Sequence, residues 1–261
     1  MTEQIEEGTV PELPTGRIRP GYELVLVLGI SLGQSAVYSI LSLLNKLTYQ
    51  VPLNQQTTSM NNSVTPDRPW LDLLYQLAGI VFPMVPAFLA LYLLKLTGDR
   101  AKIGFDLKRP GFDIGWGFGL AACIGIPGLG LFAVAKLLGL QTSISASNLA
   151  ANWWTIPVLL GLALMNGVLE EIVMIAYLFD RLRKLKWKWV WIVVLSAGIR
   201  GTYHLYQGFG SFLGNFIMGV VFGVFYLKTR RVGALVATHF VLDAVSFVGY
   251  PLAAPWLAAW I

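Results

Sequence analysis

The sequence predicts an all-α fold: a polytopic membrane helix bundle of seven to eight transmembrane helices. Hydrophobic residues make up 56% of the chain and charged residues only 13%, where a soluble domain holds about a quarter charged. The mean hydropathy is +0.64. Apolar runs of about 20 residues, the length that crosses a bilayer as a helix, recur along the whole chain.

Seven such runs can be delimited: Tyr22–Leu44, Trp70–Leu96, Ile114–Leu140, Trp153–Phe179, Trp189–Gln207, Phe209–Leu227 and Ala234–Tyr250. Beyond Pro251, "LAAPWLAAWI" is too short to cross alone and reads as an interfacial segment or the end of a bent eighth helix. The N-terminal residues are acidic and proline-bearing, without the basic region and cleavage site of a secretory signal, and read as a flexible tail. The expected organisation is a tail over 1–20, N-terminal transmembrane helices and loops over 21–112, a membrane module over 113–250 and an apolar segment over 251–261. Cys123 is the single cysteine, so no intramolecular disulfide is possible.

The loops alternate in charge. Basic residues gather in the tail, in the loop before Ile114, in "RLRKLKWK" and in "KTRR"; the intervening loops hold only Lys46 and Arg68. The positive-inside rule then puts the N-terminus in the cytoplasm. The expected location is integral to a bacterial cytoplasmic membrane. The net charge of +5 is thereby a mark of topology, and no nucleic-acid partner is expected.

Ionisable residues inside apolar runs are costly and usually line a wet cavity that carries function. Six are concentrated in the C-terminal half: Glu170, Glu171, Arg200, His204, His239 and Asp243. Arg200 and His204 are four apart, as are His239 and Asp243, so each pair shares a helix face. Asp243 can accept a hydrogen bond from His239 on that spacing. Glu170 and Glu171 point roughly 100° apart on a helix, so only one need face the cavity, with Asn166 on the face of Glu170. The other glutamate needs a partner, and Arg200 is the candidate. Tyr203, Tyr206, Gln207 and Asn215 are assigned to packing and hydrogen bonding, and the glycines of span six to close helix contacts.

A carboxylate and a histidine within reach of one water can activate it as general bases, and a second, cationic histidine can donate to an oxyanion. These are the parts of peptide hydrolysis without a covalent intermediate. No "GxSxG" or "HExxH" is present, though two histidines and the carboxylates leave a zinc site open. No metal and no cofactor is expected. The expected partners are the lipid bilayer and a peptide or membrane-protein substrate.

The double glutamate on one membrane helix, the histidine on the next and the later "HFVLD" resemble the CPBP family, the type II CAAX prenyl endopeptidases with the bacteriocin-processing or Abi proteins. The resemblance runs from about Ile114 to Tyr250, including "DLKRPGFD" and "TRRVGALVATHFVLD". It implies an intramembrane glutamic endopeptidase in which Glu170 activates water with His204, Glu171 supports it, and His239 with Asp243 holds the oxyanion. The chain departs from the family pattern at three positions. Ile175 stands where the first motif usually has arginine, Arg200 where the second usually has phenylalanine, and Asp243 where the prenyl endopeptidases carry asparagine. The arginine has, on this reading, moved to the neighbouring helix. The competing readings are an inactive immunity or scaffold protein of the same fold, a proton-coupled transporter and a zinc metalloprotease.

Overall fold

The computed structural model describes residues 19–252; the expected tail up to residue 18 and the apolar segment from 253 lie outside the described residues. The first predicted span is a broken pair, α1 (Pro20–Gly29) and α2 (Leu32–Thr48), bent by 48°. The break falls at Ile30 and Ser31, and the Ser31 hydroxyl donates to Val27 O at 2.5 Å. α3 (Pro69–Val81) and α4 (Val85–Leu96) form one span through a 3₁₀ turn at Phe82–Met84, where Pro83 lacks the N–H to continue an α-helical ladder. α5 (Pro110–Leu137) follows with Pro127 in its interior. α6 (Thr155–Glu171) runs through a π-helical segment, Ile172–Tyr177, into α7 (Leu178–Lys184).

α8 (Trp189–Tyr203) has 15 residues, or about 22 Å at 1.5 Å per residue, against a hydrocarbon core of about 30 Å. It ends in a 3₁₀ turn, Leu205–Gln207, before α9 (Phe209–Thr229). α10 (Val232–Ala244) continues through a π segment at Val245–Gly249. Among the described residues five helical units are long and apolar enough to cross a membrane, and six if the bent pair counts as one span. The expected seven to eight is not confirmed among the described residues. The run Trp189–Gln207 was apolar enough in sequence, but its helix stops early, at Tyr203.

The loops sort into two sets at opposite ends. At one end β1 (Thr57–Ser59) pairs in parallel with β2 (Ser143–Ser145), and bridges join Asn62 to Asn148 and Gln141 to Gly208. The loops after α2, α5 and α8 therefore meet there. At the other end the basic loops meet acidic partners. Arg181 donates to Glu23 at 2.7 Å, and Lys184 and Lys102 reach Asp99 at 2.5 and 2.9 Å. Arg231 joins Asp106 at 2.8 Å and also Asp113. Burial of Asp99 opposes its charge, but the two lysines prevail and hold its carboxyl below the usual range. Asp106 is held low by Arg231 and by the backbone N–H of Lys108.

Close helix contacts set the site. A Cβ on Gly219 would lie 2.8 Å from Ala197 Cα and 3.3 Å from Arg200 Cδ, so the glycine lets α9 press on α8 beneath the arginine. A Cβ on Gly167 would lie 3.1 Å from Val236 O and 3.5 Å from His239 Cβ, which brings α10 against α6.

Candidate active site

Every ionisable residue singled out inside the apolar runs lies on α6, α8 or α10, or in the turn that ends α8. α6 delivers Glu170 and Glu171 on its last turn, immediately before the π segment. Such segments are rare and recur at functional sites. Ser196 Oγ donates to Met174 O within it at 2.9 Å, which ties α8 to this part of the chain.

Arg200 is fully buried and serves both glutamates: Nη2 donates to Glu171 Oε1 at 2.7 Å and Nη1 to Glu170 Oε2 at 3.1 Å. Its charge also lies over the Phe222 ring, 5.3 Å from the centroid. Glu171 is fully buried, whereas Glu170 keeps 8% exposure. The partner expected for the second glutamate is therefore shared by both. Tyr203 donates its hydroxyl to Glu170 Oε2 at 2.5 Å. The bonds to Glu170 fall on Oε2, leaving Oε1 without a partner among the described residues.

His239 Nδ1 donates to Glu171 Oε1 at 2.8 Å, because a carboxylate oxygen can only accept. This corrects the pairing expected from the i, i+4 spacing. Asp243 Oδ2 lies 3.8 Å from His239 Nε2, beyond a hydrogen bond, and is held instead by Asn166 Nδ2 at 2.7 Å. A neighbouring helix offered His239 a closer acceptor than its own helix did. His204 is half-buried beyond the knot of carboxylates and hydrogen-bonds neither glutamate. Its Nδ1 donates to Arg200 O at 3.0 Å, so in the neutral ring Nε2 carries the lone pair. Straight helices counted from their starts put His204 and His239 at different depths. The long side chains of Arg200 and Tyr203 span that gap, and α10 begins two residues earlier than the sequence indicated.

Tyr203 is the residue that sequence reasoning undervalued. It stands three positions after Arg200 and so on nearly the same face, which was the available signal. The π segment had no signal in the sequence. Two buried atoms in the knot, Arg200 Nε and Glu171 Oε2, have no hydrogen-bond partner, a departure from the near-universal satisfaction of buried polar atoms.

Glu170, Glu171 and His239 each offer a ligand atom within 4.8 Å of the others, a spacing a metal ion could use. The guanidinium of Arg200 already rests on both carboxylates, so a dication there would face a fixed cation at short range. As a donor set for a metal the cluster is therefore poor.

Residues 152–245 match the family model of the type II CAAX prenyl endopeptidases, described as Rce1-like. The match takes in Asn166, Glu170, Glu171, Arg200, His204, His239 and Asp243. It starts well after the "DLKRPGFD" segment, which the wider resemblance had included. No curated protein and no solved structure matches the chain.

Proposed function

From the match of residues 152–245 to the Rce1-like type II CAAX prenyl endopeptidases, we propose that the chain is an intramembrane endopeptidase that hydrolyses a peptide bond with a water activated by Glu170. The observation that carries this reading is the asymmetry of the Glu170 carboxylate. Arg200 and Tyr203 fix Oε2 while Oε1 stays unpaired on the less buried of the two glutamates. A carboxylate held in that way is preorganised to accept a proton from water.

In this mechanism the water oxygen attacks the scissile carbonyl carbon and its proton passes to Glu170 Oε1. His204 accepts that proton from Glu170 on its Nε2 lone pair and gives it to the leaving amine as the C–N bond breaks. Charged His239 keeps Nδ1–H on Glu171 and has Nε2–H left for the oxyanion, because Asp243 is too distant to claim it. Glu171 and Arg200 position these two groups. Asp243, pinned by Asn166, adds negative charge on the far side of His239. Arg200 supplies the positive partner that the family pattern usually draws from the position of Ile175, and Ile175 is fully buried here. The N-terminus lies in the cytoplasm, and α8 crosses only part of the bilayer.

A zinc-dependent reading is favoured by the clustering of Glu170, Glu171 and His239 and is separated by the same experiment. Membrane-peptide N-termini are compared in cells expressing the wild type and Glu170→Gln, with metal measured on both purified proteins. The expected outcome is a set of new N-termini lost in the variant by about 10²- to 10⁴-fold, the usual contribution of a general base, with no stoichiometric metal. Identical N-termini from two stably inserted proteins would overturn the proposal. Stoichiometric zinc in the wild type would replace the mechanism with a metal-dependent one.

A further inference from the structure

The candidate site rests on apolar side chains toward one end of the bundle and on polar side chains toward the other. On the side of the basic loops, the carboxylate layer rests on Ile172, Met174, Ile175, Phe222 and Leu235, all fully buried. Toward β1 and β2 the polar residues nearest the carboxylates are partly exposed, while Gln141 and Thr142 beyond them are fully buried. The Asp243 side chain keeps 21% exposure, and Asn166, His204, Gln207 and Ser211 are half-buried.

Chain direction gives the same answer on three helices. α6 enters from the β1–β2 end and passes Asn166 one turn before Glu170. α8 rises from the basic end and passes Arg200 one turn before His204, the residue that follows its end. α10 rises from the same end and passes His239 one turn before Asp243. In each case the more exposed residue is about 5 Å nearer the β1–β2 end. A polar chain continues that way. Ser211 Oγ donates to Gln207 Oε1 at 3.0 Å, Gln141 Nε2 to Ser211 Oγ at 3.0 Å, and Thr142 Oγ1 to Gln207 O at 2.8 Å, which reaches the start of β2. A cleft in this direction would lie between two pairs of helices. α8 packs mainly on α9, and α6 mainly on α10; Arg200 and Tyr203 bridge the two pairs.

We infer that this cleft admits its peptide from the face opposite the basic loops, which is the extracytoplasmic face because basic loops stay in the cytoplasm. The substrate class is then a peptide presented at the outer surface of the membrane. That identification of the cleft's occupant rests on the peptidase reading, whereas the direction of access does not.

Single cysteines introduced in a Cys123→Ala background test it, with a membrane-impermeant maleimide applied to intact cells and to inverted vesicles. Asn148→Cys marks the β1–β2 end, Lys102→Cys the basic end, and Ser211→Cys the cleft. The expected result is labelling of Asn148→Cys and Ser211→Cys in intact cells and of Lys102→Cys only in inverted vesicles. Labelling of Ser211→Cys only from the face that labels Lys102→Cys, or from neither face, would overturn the inference, as would cytoplasmic labelling of Asn148→Cys. Because the readout is accessibility, a failed peptidase reading leaves this result standing, and a failed access result leaves the Glu170→Gln comparison interpretable.

Discussion

Arg231 and Arg200 each hold two carboxylates, as Arg181 does with Glu23 and Asp180, and the first two differ in what is left over. Arg231, at the basic end, uses its whole guanidinium. Nε and Nη2 bond Asp113, Nη1 bonds Asp106 at 2.8 Å, and Nη2 also reaches Asp106 O at 3.2 Å. Arg200, fully buried at the centre, leaves Nε unpaired, and its partner Glu171 leaves Oε2 unpaired. The first cluster closes a joint between the loop before α5, the first turn of α5 and the loop before α10. The second is incompletely satisfied in a place where unpaired polar atoms are expensive, beside a carboxylate with a free oxygen. Arg181 Nη2 at the basic end is also without a partner among the described residues, so what sets the Arg200 cluster apart is its place between two buried glutamates and His239.

Breaking each cluster in turn gives the largest stability difference. Arg200→Met leaves two buried carboxylates with His239 as their one remaining cationic neighbour among the described residues and is expected to lower unfolding stability by about 3–5 kcal/mol. Arg231→Met is expected to lower it by about 1.5–3 kcal/mol, the range for hydrogen bonds to charged groups, because Asp106 can return to water. Thermal unfolding of the two variants in the same detergent checks the order; equal losses would erase the distinction. Adding Glu171→Gln to Arg200→Met should restore part of the stability and none of the cleavage.

Tyr203→Phe sharpens the comparison from the catalytic side. The hydroxyl bonded to Glu170 Oε2 is a positioning group, so its removal is expected to lower kcat roughly 10- to 100-fold, as loss of a charged hydrogen bond does, with KM little changed. A KM increase at constant kcat would assign Tyr203 to substrate binding instead.

The smallest effect concerns acid. Asp106 has its carboxyl held below the ordinary value by Arg231. Its contribution to stability is therefore complete above the unfolded value near 3.9, and is lost as pH falls through the lower folded one. Asp106→Asn should make the protein less sensitive to acid over that window while leaving its stability at neutral pH only slightly reduced. Circular dichroism between about pH 5 and 2 follows both proteins; identical acid profiles would show that this joint contributes nothing, as many exposed ion pairs do.

Much of the site was legible because a charge in an apolar run declares itself locally. Glu170, Glu171, Arg200, His204, His239 and Asp243 needed no neighbour to be conspicuous, and the side-by-side placing of the glutamates called for a cation at the one turned from the cavity; that Arg200 serves both came from the structure. Tyr203 was less legible because a tyrosine in a membrane helix has many ordinary uses. Its role depends on where a different helix puts Glu170.

The sequence by itself determined the membrane class, the approximate spans, the sorting of basic and neutral loops and the identity of the buried charges, since hydropathy and charge act residue by residue. Tertiary structure decided the partners. Spacing gave His239 a possible acceptor in Asp243, but α6 supplied Glu171 at 2.8 Å, against 3.8 Å to Asp243. It also decided that α8 stops at Tyr203 and that a π segment follows the glutamates. Hydrogen bonds are won by the geometrically better acceptor, and with helices packed through Gly167 and Gly219 that acceptor lies across an interface that no local pattern describes.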